Sequence, residues 1–154
     1  MLQLKRLAVL IVAMFPLLLA LQCTAVYGHS YTFGGLEILH PAVMVPNGQT
    51  DCSCAHLKII NHGTRTEYFL GADISIASRT HLLSISTAGH GIAMPTRVKI
   101  APGETLDLNR HEWCLFMSGI TATLEADVGI IPGKLRFENQ GAVDIEFLID
   151  EVPH

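Results

Sequence analysis

The 154-residue sequence contains no glycine-rich phosphate loop, no Gly-x-Ser-x-Gly elbow, no His-Glu-x-x-His pair and no Cys-x-x-Cys. These absences take away the local signatures of P-loop phosphate binding, hydrolase nucleophiles, zinc proteases and thioredoxin-type redox chemistry, so an enzyme finds no support among the motifs. Blocks of like charge and low-complexity segments are missing too. Beyond the first residues, no stretch shows sustained helical periodicity with caps, which leaves strands as the building material.

What is present begins with an N-terminal block. Lys5 and Arg6 precede an apolar run from Leu7 to Leu21, followed by small and polar residues through Gly28. That order is the signature of a secretory signal peptide. The run is shorter than the ~20 residues that span a bilayer, which favours export with cleavage over a membrane anchor. Val26 and Gly28 suit the −3 and −1 positions of a cut before His29. The expected organisation is a signal peptide over residues 1–28 and one domain over 29–154, located in the periplasm or otherwise exported, with membrane contact only before cleavage.

Loss of residues 1–28 leaves 8 Lys and Arg against 14 Asp and Glu, a formal charge of −6. Such a balance argues against nucleic acid and anionic lipid as partners. Three cysteines remain, Cys52, Cys54 and Cys114. An oxidising compartment permits a disulfide, and the odd count leaves one thiol outside it. Cys52 and Cys54 share one face of an expected strand and diverge too far for an easy mutual bridge. The open readings are a Cys52–Cys114 or Cys54–Cys114 disulfide, buried inert thiols, or a thiolate set for a soft ion.

Short β-like runs recur between turn signals: 36–39, 56–60, 67–70, 80–85, 97–100, 105–108, 113–117, 134–137 and 143–149. About nine short strands at this spacing describe an all-β sandwich or barrel. Alternation such as Val143, Ile145, Phe147 and Ile149 against Asp144 and Glu146 suits a sheet with one face inward.

The order of landmarks resembles the periplasmic copper(I) chaperones that supply the binuclear copper centre of cytochrome oxidase. The opening His29-Ser-Tyr-Thr-Phe-Gly-Gly-Leu-Glu-Ile-Leu-His-Pro41 is similar to that family's first strand and its His-Pro. Leu57-Lys-Ile-Ile-Asn-His-Gly63, Phe69-Leu-Gly71, Ile100-Ala-Pro-Gly-Glu-Thr-Leu-Asp-Leu108 and the hairpin Leu135-Arg-Phe-Glu-Asn-Gln-Gly-Ala-Val-Asp-Ile-Glu-Phe147 follow in the family's order. The resemblance implies a cupredoxin-like β-sandwich, copper as the bound metal with Cu(I) favoured, and a copper-accepting respiratory oxidase subunit or another copper protein as partner.

The resemblance also implies ligands, and here the sequence departs from the pattern. The family's first His and companion Met fall on Leu83 and Ile85, and its last His and Met on Trp113 and Leu115. Met94, eleven positions after Leu83, keeps the remaining Met. His81, His111 and Met117 each lie two residues from a substituted position, so strand parity suggests a shifted His/Met site with Met94 and with His90 on a glycine-flanked loop. Thioether and imidazole suit Cu(I). His29 at a new N-terminus offers two nitrogens for Cu(II), while His56 and His62, on a strand and in a turn, read as structural. The rival reading has Trp113, Leu83, Ile85 and Leu115 sealing the site as a dry patch, in a degenerate member that acts as an interaction module.

Overall fold

The structure is a computed structural model that describes residues 29–45, 51–85, 91–109, 112–121 and 129–151. The expected signal segment lies outside the described residues. Among them are eleven strands and no helix: β1 (Ser30–Phe33), β2 (Leu36–Val45), β3 (Cys52–Asn61), β4 (Glu67–Ile74), β5 (Ala77–Ile85), β6 (Ile92–Ala93), β7 (Val98–Ile100), β8 (Thr105–Leu108), β9 (Trp113–Ile120), β10 (Ile130–Phe137) and β11 (Gly141–Glu151). The all-β expectation holds. The count rises from about nine because β1 has only four residues, too few for its alternation to stand out, and β6 has only two.

The strands form one hydrogen-bonded sheet in the order β6-β5-β9-β3-β2-β11-β10-β4-β7, with β1 added on β2 and β8 on β3. β4 and β5 stand near opposite ends of that path, yet only Ser75 and Ile76 separate them in sequence. The sheet therefore curls over itself into a half-barrel. Its inner face is the alternating apolar set: Leu57 and Ile59 from β3, Phe69 from β4, Leu115 and Met117 from β9, Leu135 from β10 and Phe147 from β11, all almost wholly buried. Full burial of each such side chain contributes about 2 kcal/mol.

Two local devices let the sheet curl. β1 and β2 meet through a two-residue turn, Gly34-Gly35, with φ of 53° and 89°. Both central residues need the left-handed region there, which glycine enters without a Cβ clash. Strand β2 does not stop at His40-Pro41. His40 has φ of 48°, the ladder with β3 shifts between Leu39 and Ala42, and the His40 N–H donates to the His29 carbonyl at 3.0 Å. The bulge absorbs the proline, which cannot donate to a ladder. Before it, β2 pairs with β1; after it, β2 pairs in parallel with β11. Likewise β4 continues past Gly71 (φ 120°) to Ile74, and a register shift against β10 between Phe69 and Gly71 marks a second bulge.

Two buried polar groups tie loops to this frame. Asn61 donates from Nδ2 to the carbonyls of Arg65 (2.8 Å) and Ile100 (2.9 Å), and its Oδ1 accepts from Gly63 N (2.9 Å). The Glu67 carboxylate accepts from Tyr68 N, Asn139 N, Asn139 Nδ2 and Gln140 N at 2.9–3.2 Å, fixing the β10–β11 turn.

Candidate functional site

The register of β5 against β9 decides where His81 and Met117 point. In the antiparallel pair of β5 and β9, His81 faces Phe116, Leu82 faces Leu115, Leu83 faces Cys114 and Ser84 faces Trp113. Directly opposed residues share a face of the sheet. His81, Leu83 and Ile85 therefore lie on the outer face with Cys114 and Phe116, while Leu82, Trp113, Leu115 and Met117 take the inner one.

This register revises the expectation of a common face. Met117 is 0% exposed in the core, on the face opposite His81. Leu115 is also core, and Trp113 is half-buried against it. Leu83 and Ile85 stand on the other side, so the four substituted positions form no single dry patch. β6 pairs with β5 through Ser84↔Ala93 and Ile85↔Ile92. Met94 follows directly on the end of β6. Met94 is 60% exposed and Ile92 68% exposed, so Met94 is no core filler. His81 is exposed as well. The structure thus brings His81 and Met94 to one edge and excludes Met117 from it. His90 and His111 lie outside the described residues.

A second cluster lies on the same outer face, toward the middle of the sheet. Cys54 and Cys114 form a disulfide with Cα atoms 5.8 Å apart. Cys54 faces Phe116, one pleat from Cys114, whereas Cys52 faces Ser118, further along. That register selects Cys54 over Cys52. Cys52 is exposed and outside the bridge. His56 follows Cys54 on the same face, since inward positions of β3 alternate with outward ones. The ladder between β3 and β9 ends at Ala55 and Leu115, the residues next to His56 and Cys114.

The His56 ring is held from one side only. Its Nε2 sits 3.1 Å from Asp150 Oδ2, while Nδ1 is buried with no hydrogen-bond partner. Sequence reasoning passed over His56; its signal was the Cys-x-Cys-x-His spacing on one strand face. The other structural histidine, His62, pairs with Glu37 at 2.7 Å. Among the described residues, no three His, Cys, Asp or Glu side chains are placed to hold a metal ion in this disulfide-bonded form.

Comparison with solved structures settles the architecture. The copper-bound PCuAC domain from PmoF2 superposes with a TM-score of 0.69 at 16% identity, over 80% of this chain and 99% of that domain. This chain has the PCuAC fold. The apo PCuAC domain from PmoF1 gives 0.69 at 19% identity, over 80% and 100% of the two chains. The solution structure of apo-DR1885 from Deinococcus radiodurans gives 0.62 at 15%, over 85% and 89%. No family model and no curated relative matches the sequence. The PCuAC fold is the cupredoxin-like architecture expected from the landmarks, and β1 and the β10–β11 hairpin occupy the places those landmarks assigned.

Proposed function

We propose that this chain is an exported copper-handling protein of the chaperone type, which carries Cu(I) as cargo and passes it to a copper-accepting respiratory oxidase subunit or another copper protein. The observation that supports it most is Met94: a thioether 60% exposed at the short β5–β6 edge, on a fold shared with a copper-bound domain. Met94 and His81 are the ligands proposed from the described residues, joined by His90 from the β5–β6 connection and His111 from the β8–β9 connection. Imidazole and thioether donors at an open edge favour Cu(I) and its transfer between proteins. Leu83, Ile85, Trp113 and Leu115 offer no donor at the resembled family's positions, so the cargo site is displaced toward the edge.

Competition titration of the disulfide-bonded protein with a chromophoric Cu(I) chelator tests this reading. The expected result is binding tighter than micromolar that weakens in His81→Ala and Met94→Ala. Absence of binding at that level overturns it. That outcome favours the second reading, an interaction module without metal, for which the exposed Ile92 beside Leu83 and Ile85 supplies an apolar edge.

A further inference from the structure

His56 is a half-buried histidine with an unusual ring environment. One ring nitrogen meets a carboxylate and the other is shielded from solvent with nothing to bond. A buried polar atom without a partner costs on the order of 1–3 kcal/mol. Its neighbours on the sheet are chemically specific. Cys54 precedes it by two residues on the same face and is bridged to Cys114 of β9. With Nε2–H donated to Asp150, the Nδ1 lone pair is left without a donor, on the strand face that also carries Cys54. Histidines that bind metals characteristically give their other N–H to a carboxylate, which fixes tautomer and ring orientation. Asp150 and His56 have that relation with no metal donor yet in place.

We propose that Cys54, Cys114 and His56 form a second, redox-gated site for Cu(I), closed by the disulfide and opened by its reduction. Two thiolates and one imidazole make a soft, low-coordinate donor set, which selects Cu(I) over harder ions. The site shares the outer face with His81, Cys114 standing opposite Leu83, but it uses other donors and does not depend on the reading given above for the His81/Met94 edge.

The opening step requires a dithiol reductant. Cys54 is half-buried and Cys114 only 2% exposed, so the reductant's thiolate attacks the Cys54 sulfur. The S–S bond breaks, Cys114 leaves as a thiolate and takes up a proton, and a mixed disulfide links Cys54 to the reductant. The reductant's second thiol then displaces Cys54, leaving a reductant disulfide and two protein thiols: two electrons and two protons have moved to the protein. Cu(I) displaces both thiol protons and adds Nδ1, with no change in its oxidation state. A partner disulfide re-forms the bridge by exchange: one protein thiolate attacks it, the other displaces the partner from the mixed disulfide, the partner leaves as a dithiol with the two electrons, and Cu(I) is released unchanged. The bridge thereby acts as a gate whose state sets how much copper the protein retains.

The test compares the protein before and after reduction, with reductant removed anaerobically, by Cu(I) competition titration. The expected result is one additional equivalent of Cu(I) in the reduced protein, with sulfur-to-copper charge-transfer absorption in the ultraviolet. His81→Ala and Met94→Ala retain that equivalent, whatever becomes of the first. Asp150 is largely exposed, so Asp150→Asn leaves the fold intact; it weakens the added site about 10–100-fold, as loss of a carboxylate behind a ligating histidine does. His56→Gln keeps both thiols and loses the imidazole absorption-edge signature of nitrogen ligation. An unchanged equivalence on reduction overturns the proposal. So does an added equivalent that persists at full affinity in both Asp150→Asn and His56→Gln.

Discussion

Two polar clusters in this domain invite comparison. Around Asn61 and Glu67, side-chain donors and acceptors are saturated: three bonds at Asn61 and four at Glu67, all but the one from Asn139 Nδ2 made with backbone groups. Around His56, one contact is made and one buried nitrogen is left over. The first pattern is what stability requires of buried polar groups. The second costs stability and is explained by chemistry in another state of the protein. Saturation marks scaffold, and a deficit beside two sulfurs marks a site.

Four measurements sharpen or break that contrast. The largest effect belongs to the bridge. It closes a loop of 60 residues, so reduction in metal-free buffer is expected to lower the unfolding free energy by about 4 kcal/mol; urea denaturation with and without reductant reads it. A loss below ~1 kcal/mol would show that the bridge contributes little to the scaffold. Next comes Glu67→Ala, which strands the N–H groups of Tyr68, Asn139 and Gln140 in a buried turn and should cost about 3 kcal/mol in the same assay. Asn61→Ala frees two carbonyls and one N–H, and about 2 kcal/mol is expected, seen as a lower thermal midpoint. The smallest change is expected at the deficient cluster. His56→Leu removes a half-buried pair with an exposed carboxylate along with an unpartnered nitrogen, so stability should move by less than ~1 kcal/mol in either direction. A loss as large as that of Glu67→Ala would erase the distinction between the clusters.

Much of the architecture was legible in the residues. Alternation at Val143, Ile145 and Phe147 gave β11 its inward face, and turn signals placed most strand ends. The failures have a common cause. His40-Pro41 and Gly71 read as stops, but a bulge can absorb either within a continuing strand. Within β5 and within β9, residues two apart do share a face, as parity requires. Parity cannot say which face of one strand meets which face of the next, and a one-residue shift of register inverts the answer. His81 opposes Phe116 rather than Leu115 or Met117, and the expected site loses Met117 to the inner face. The same logic hid His56: Cys54-x-His56 shows shared facing from sequence alone, but the approach of Cys114 and Asp150 depends on two non-local pairings.

The parallel seam between β2 and β11 carries a consequence for the order of assembly. Leu148 pairs with Ala42 and Glu151 with Val45, partners separated by roughly a hundred residues. Closing so long a loop comes late, because the entropy of bringing distant segments together is spent before their contacts form. β2 thus waits, with its half beyond the Pro41 bulge unzipped on one side, until the final strand of the chain is available. Truncation near the C-terminus leaves a gap in the middle of the sheet rather than a ragged margin, and a nascent chain lacking those last residues presents an open strand to any neighbour able to pair with it.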